Sequence, residues 1–494
     1  VSRCAPATTF AEVTRRFLLL SVLLGAVPCL GCQERTSQAS VPPPSLRQLE
    51  PTHADLIPAT VAPPTPKPKP PGFSIYAKTR FVWIYPEATT DSKWIGYLWT
   101  GGSARLKNRT PVYGKGCEKA WYAIEPRGFV CANDKHATLN GEDEIYVAAL
   151  ALAGDLNSPW PHHYAEAQGT ALKRNTPVFI DFPLRNVVPP LQLPAFSAGV
   201  YEPYVEFRRR STIAFVKELR AGDQDWLITA DLRWISGASV THFVQSEFEG
   251  VHLSESTTLP LAFFRTMDRP QYRRTAGGNF EPTGENWPRL GWVPLTEERF
   301  TEGSDVFRKV THDDRYVLET DAVIPKPRRL TPWNAEVGKP DTTGQAPAGR
   351  ATWIETSVNG GWLIAYAGTR PVFTTLVSAG RGGIPLRHIP PIDTASTPTG
   401  AFHITGKFAT ATMTNNAGVH TAVPWTQNFT GPYSFHTAYW HDDFGDLRSG
   451  GCINLSPKDA RYLFGFTEPA LPEGWHGMRR GPEFEPATWV LVIP

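Results

Sequence analysis

The sequence predicts a mainly β chain built from several small modules, with short helices confined to its C-terminal part. Three observations predict it. From Phe73 onward, short apolar runs rich in aromatic and β-branched residues are broken every few residues by Gly, Pro and Asn, the punctuation of strands and turns. Helical apolar spacing is scarce outside the stretch Pro457–Phe464. The chain, at 494 residues, is also too long for one domain.

Taken in order, Arg15-Arg16 followed by an apolar run from Phe17 to Pro28 has the layout of an export signal, and the run is too short for a comfortable membrane-spanning helix. It ends at Cys29-Leu30-Gly31-Cys32, which resembles a lipoprotein processing site with Cys32 as the lipidated residue, although Cys29 stands where Leu is usual. A plain signal peptide over residues 1–32, cleaved nearby, is the other reading. Residues 33–72 are polar and proline-laden, ending in Pro-Thr-Pro-Lys-Pro-Lys-Pro-Pro at 64–71, and predict an extended linker. At about 3 Å per residue, such a linker reaches on the order of 100 Å.

Residues 73–140 read as a small β-domain similar to an SH3-like barrel, with Trp94–Leu98 and Trp121–Cys131 as strands. Cys117 and Cys131 bracket the second of these. In an exported chain they are expected to form a disulfide, contributing about 3 kcal/mol by loop closure. A metal site would need more ligands than these two, and none is predicted. Cys4, Cys29 and Cys32 lie in or beside the export signal, so Cys452 is left as the odd thiol.

Residues 141–345 are the least informative. The stretches Trp226–Ile235 and Tyr316–Ile324 echo Trp121–Val130 and read as weak repeats of one β-module, serving either as binding modules or as spacers. Proline-rich stretches at 325–330 and 339–349 mark a last linker before a domain at 346–494. A formal net charge of +2 makes no case for a nucleic-acid partner.

The chemistry concentrates between Tyr433 and Pro457. Cys452 follows Gly450-Gly451, and His436 lies upstream on an aromatic-rich stretch that reads as a strand. Most free cysteines are small buried hydrophobes. Two glycines before the thiol, however, let backbone N–H groups turn toward a substrate oxygen, and a histidine supplies the base a thiol nucleophile requires. Gly451 and Cys452 are the predicted oxyanion N–H donors. His441, Asp442, Asp443 and Asp446 invite a metal reading, but zinc needs a compact ligand set with partners that orient it, so that reading is the weaker. The stretch Phe408–Thr430 reads equally as a lid or as a plain hairpin.

These residues resemble a known family, the L,D-transpeptidases of bacterial cell walls, with their YkuD-type catalytic domain. The family pattern is a His, a gap, Ser/Thr-His-Gly-Cys, an aliphatic residue, then Asn or Arg. Here it reads His436, twelve residues, and Ser449-Gly450-Gly451-Cys452-Ile453-Asn454. Upstream, Thr397-Pro398-Thr399-Gly400-Ala401-Phe402-His403-Ile404 is similar to the family's Thr-Pro-x-Gly-x-Phe-x-Ile strand, and Trp362–Gly380 to its opening hairpin. Gly450 replaces the usual His, which is not the residue the family uses as base.

The resemblance covers roughly the last third of the chain and implies a β-sandwich or barrel with short helices. It implies Cys452 as nucleophile and His436 as base, the Thr437 backbone carbonyl setting the imidazole tautomer. Arg448, Ser449, Gly450, Asn454 and Tyr439 fall on the substrate side. Arg448 suits a carboxylate, Ser449 and Asn454 brace the loop, and Tyr439 with Trp440 forms a packing wall. The implied partners are peptidoglycan stem peptides and acylating carbapenems, with no cofactor and membrane contact only through a lipid anchor in the cell envelope.

Overall fold

In the computed structural model, residues 73–168, 209–221, 224–231, 234–415, 418–481 and 486–494 are described. The export signal, Cys32 and the linker to residue 72 lie outside them. The described residues belong to one contact unit. Among the described residues no helix is long and apolar enough to cross a membrane.

The C-terminal part is a β-sandwich. One sheet has six strands in the order Val251–His252, Arg370–Leu376, Trp362–Ala367, Thr352–Ser357, Trp489–Ile493 and Gly400–His403. Its hairpin partners Trp362–Ala367 and Arg370–Leu376 are the stretch read as the opening hairpin. The opposing sheet is larger and includes Gly406–Asn415, Gly418–Thr430, Tyr433–Thr437 and Ile453–Leu455. Period-two alternation sends Ile354, Leu363, Phe373, Phe429 and Phe435 into the shared core. The helix Pro457–Phe466 joins that core through Ala460, Leu463 and Phe464. Ser456 caps it by accepting from the Asp459 N–H, and Pro457 occupies the first turn, where a missing N–H costs nothing.

The larger sheet departs most from the expected modules. Its main path runs through Trp234–Ser236, Gln224–Thr229, Thr212–Ala221, Gly418–Thr430, Gly406–Asn415, Gly477–Arg479, Gly96–Leu98 and Val82–Ile84. Strands from 73–140 and from 141–345 are therefore hydrogen-bonded into the C-terminal sheet rather than set apart as beads. The join on one side is the Gly477–Arg479 strand, where Gly477 opposes Tyr97. A Cβ at Gly477 would stand 2.5 Å from the Tyr97 ring and 2.6 Å from that of Phe408, so the close approach requires glycine. Trp475 and Met478 accordingly pack in the core of the N-terminal strands, with Ile75, Ile84 and Leu98.

Phe408–Thr430 is central sheet and not a free lid. It is tied on its far side by the Thr421 hydroxyl accepting from the Ala214 N–H at 2.7 Å and by Tyr164 Oη donating to the Ala422 carbonyl. The repeat reading also fails at one of its members. Trp121–Val130 and Trp226–Ile235 are hairpins, but Tyr316–Ile324 is the end of one strand and a 3-10 turn in a separate six-stranded sheet. That sheet spans Leu261–Leu318 and has its own core of Ala262, Phe264, Leu295 and Val317.

Cys117 and Cys131 are joined, with Cα atoms 5.6 Å apart. Cys452 is the free cysteine among the described residues. Non-reducing peptide mapping should recover Cys117 linked to Cys131, with Cys452 alkylated. A bridge that includes Cys452 would contradict this arrangement.

Candidate active site

Tyr433–Thr437 and Ile453–Leu455 pair in parallel, with Phe435 opposite Ile453 and His436 opposite Asn454. Alternation then sorts the side chains. Phe435, Ile453 and Leu455 enter the core, while Ser434, His436, Cys452 and Asn454 line a groove of about 700 Å³.

The loop before Cys452 is stitched down by its own polar groups. The Arg448 and Ser449 N–H groups both donate to the Ala379 carbonyl. Thr397, of the Thr-Pro-x-Gly motif, accepts from the Gly380 N–H at 2.8 Å and donates to the Gly451 carbonyl at 2.9 Å. Ser449 Oγ accepts from the Gly451 N–H at 2.9 Å and donates to the Cys452 carbonyl. That corrects one expectation: the Gly451 N–H is already bonded inside the loop and is not offered to an oxyanion. Among the described residues, the Gly450 and Cys452 N–H groups have no such partner.

The thiol of Cys452 lies 3.6 Å from Ser434 Oγ and 3.8 Å from the Pro432 carbonyl oxygen. A carbonyl only accepts, so the thiol donates to Pro432, and the Ser434 hydroxyl is left to donate to sulfur. Burial pushes the thiol upward, partly offset by hydrogen bonds from the Ser434 side chain and backbone. None of the thiol's bonds among the described residues reaches His436.

His436 is 3% exposed, and burial pushes it down to about 4. Its Nδ1 donates to the Thr437 carbonyl at 2.9 Å, which leaves Nε2 as an acceptor, filled by Asn454 Nδ2 at 3.1 Å. Asn454 Oδ1 in turn accepts from His441 Nε2 at 3.2 Å, and His441 Nδ1 accepts from the Asp443 N–H at 3.2 Å. Burial also lowers His441. Both rings are therefore neutral, and Asn454 holds the two in complementary tautomers.

Other predicted residues separate. Arg448 is paired with Asp443 at 2.9 Å and lines the groove. Gly450 is open, with nothing within 4 Å of an added Cβ. Tyr439 is 4% exposed, stacks on Tyr164 with centroids 3.9 Å apart and bonds Thr212 and the Thr421 carbonyl, so it is wall and does not line the groove. Asp442 is held by Arg289, away from any joint site with His441.

Several groove residues escaped the sequence reading. Ser434 sits two positions before His436, a same-face signal that was legible. His420, which carries no sequence pattern, stacks on Trp440 at 4.5 Å inside the groove. His441 was weighed only as a metal ligand, and no pattern shows that it bonds Asn454.

The fold and site define a mainly β domain with a histidine on one strand and a cysteine immediately before the strand parallel to it. The family profile described as YkuD, L,D-transpeptidase catalytic domain, matches residues 351–474, and those residues form a domain of that family. No curated protein matches the chain. Among solved structures, a cysteine mutant of the Enterococcus faecium L,D-transpeptidase is 21% identical, covering 29% of this chain and 49% of its own at a TM-score of 0.21. The catalytic domain of the E. faecium enzyme acylated by ertapenem is 22% identical, covering 29% and 96%, with a TM-score of 0.21. An L,D-transpeptidase from Mycobacterium smegmatis is 13% identical over 52% of this chain and 90% of its own, with a TM-score of 0.22. The chain spans about half the length of the first of these, and the family assignment rests on the profile match.

The two glycines make opposite predictions. Gly451 has φ of +127°, and its Cβ would stand 2.6 Å from the Tyr433 ring and 2.7 Å from the Ser396 carbonyl oxygen. Gly451→Ala should therefore cost about 1–3 kcal/mol or more, read as a lower denaturant midpoint. Gly450→Ala should stay within about 0.5 kcal/mol of the parent.

Proposed function

We propose that the C-terminal domain is a cysteine-dependent L,D-transpeptidase acting on peptidoglycan tetrapeptide stems. The observation that carries this is the groove face shared by Ser434, His436 and Asn454 on two parallel strands and by Cys452 immediately before the second. The sulfur attacks the carbonyl of the stem's third residue as the thiol proton passes to His436 Nε2. Asn454 gives up its hold on that nitrogen in the same step. The Cys452 N–H, with Gly450 as the second donor, meets the developing oxyanion. The amide C–N bond breaks, D-alanine leaves with the proton from His436, and a thioester remains. An amine of a neighbouring stem then attacks the thioester and restores the thiol, giving a 3→3 cross-link. Water as acceptor gives a carboxypeptidase, and a protein lysine gives an attaching enzyme, on the same residues. With an export signal at 1–32, an anchor at Cys32 and the tether 33–72, the domain works in the cell envelope.

Incubation with tetrapeptide muropeptides tests the reading: release of D-alanine with a 3→3 linked product supports it. Binding to wall material without any D-alanine release favours a non-catalytic wall-binding protein, and cleavage of ordinary L-peptides favours a cysteine peptidase.

A carbapenem should acylate Cys452, as ertapenem does the E. faecium catalytic domain, adding one drug mass that is lost in Cys452→Ala. The neutral thiol–imidazole pair is the reactive form. With His436 at about 4 and the thiol pushed upward, that form persists across neutral pH. Acylation should be nearly flat from roughly pH 5 to 8 and fall as the pH drops through about 4, where protonated His436 no longer accepts a proton. His436→Ala should be slower by about 10²–10⁴ and gain roughly tenfold per pH unit, because only directly ionised thiol then reacts. Equal rates and pH profiles in the two proteins would refute the base assignment.

A further inference from the structure

The groove that holds Cys452 continues across the shared sheet onto the N-terminal strands. On Val82–Ile84 and Gly96–Leu98, alternation sends Val82, Ile84 and Leu98 into the core and turns Phe81, Trp83, Tyr97 and Trp99 to the groove face. Trp94 joins them just before the second strand. Trp94, Trp83, Phe81 and Trp99 form a continuous row, with successive ring centroids 4.9, 5.1 and 4.9 Å apart. Trp83, Trp94 and Trp99 are only partly buried.

Polar groups rim this row. The Arg479 guanidinium lies 3.9 Å from the centre of the Trp94 ring. Arg80 lies 4.9 Å from that of Trp99 and pairs with Asp231 at 3.3 Å. The rings stack on one another, with His476 against Trp99, so the row presents partly covered faces and ring edges bordered by guanidinium donors and a carboxylate. These suit a ligand with an apolar C–H face and hydroxyl or amide groups around its edge. A pyranose ring has that shape. A bare peptide stem has no such ring to stack.

We infer that the aromatic row is a glycan subsite, which takes the N-acetylated amino-sugar strand carrying the stem peptide delivered to Cys452. This rests on the peptidoglycan reading of the same groove. Its occupant follows from continuity: a substrate whose peptide reaches Cys452 extends its sugar along the groove that also holds the aromatic row. Arg381 and Arg448 line the same groove beside Cys452, where they suit the carboxylates of the stem.

The test uses the whole protein with Cys452→Ala, so that binding is read without turnover. Glycan strands stripped of their stems by an amidase should bind and quench tryptophan fluorescence. Trp83→Ala/Trp94→Ala, checked for folding by its thermal midpoint, should bind them roughly tenfold or more weakly, equivalent to about 1.4 kcal/mol. With Cys452 restored, that double variant should show a KM raised by a similar factor on sugar-bearing substrate, with kcat kept and free tetrapeptide unaffected. Trp83→Phe/Trp94→Phe, which keeps the stacking faces, should recover most of the affinity.

Equal glycan binding by the alanine variant overturns the subsite, as does an equal loss on free tetrapeptide. Glycan binding that depends on the tryptophans in a protein that releases no D-alanine keeps the subsite and removes the transpeptidase reading. D-alanine release without glycan binding does the reverse.

Discussion

The parallel register that sets His436 opposite Asn454 is the constraint on which the site depends. It is specified by the core, since Phe435, Ile453 and Leu455 are at most 1% exposed and sit at the alternating positions. A slip of one residue would bury His436 and Asn454 in the apolar layer and turn Phe435 to the groove, so the hydrophobic pattern fixes the register strongly. The groove side chains are thus positioned by residues buried in the core. The helix Pro457–Phe466 reinforces this from below, and its Phe464 carbonyl, with that of Thr467, receives the buried Lys407 side chain.

Within that frame, desolvation and pairing oppose each other. An ordinary thiol and an imidazole held at about 4 are separated by roughly five pH units, about 7 kcal/mol against moving the proton between them. Opposite charges 4 Å apart regain only about 4 kcal/mol at the effective dielectric of a protein. The resting pair is therefore neutral, in agreement with a thiol that donates to Pro432 and an imidazole nitrogen occupied by Asn454. Such a site spends no stability on an idle ion pair. In the proposed reaction its proton moves when a carbonyl takes the charge from sulfur, and Ser434 is already within reach of the sulfur.

How much of this the sequence could reveal depends on the range of the interaction. Strand punctuation, the capped C-terminal helix, the Cys117–Cys131 pair and the ordered motifs are local, and they were readable. The Gly451 N–H was misassigned because two glycines predict freedom of the backbone, not the partner that uses it. That partner, Ser449, is itself two residues away, but its hydroxyl had two carbonyl and N–H choices that only the folded loop decides. Asn454 likewise looked like a brace, and bridging His436 to His441 needs a parallel register no spacing encodes. The largest miss is the shared sheet. Val82–Ile84 and Thr212–Ala221 have ordinary alternating patterns, and alternation specifies faces without specifying neighbours.

That shared sheet changes what the N-terminal strands can be. A module on a tether samples many positions, and its contribution to a common substrate is set by an effective concentration. Strands hydrogen-bonded into the same sheet as Cys452 sample one. The join is tight: Gly477 packs its backbone against the Tyr97 and Phe408 rings, and Trp475 from the C-terminal part is 2% exposed among N-terminal core residues. Pulling the two apart would expose that core and an unpaired strand edge, so they fold and act together. The spacing between the aromatic row and the thiol is then a property of the sheet. Whatever ligand lies along that face meets both ends at one fixed length.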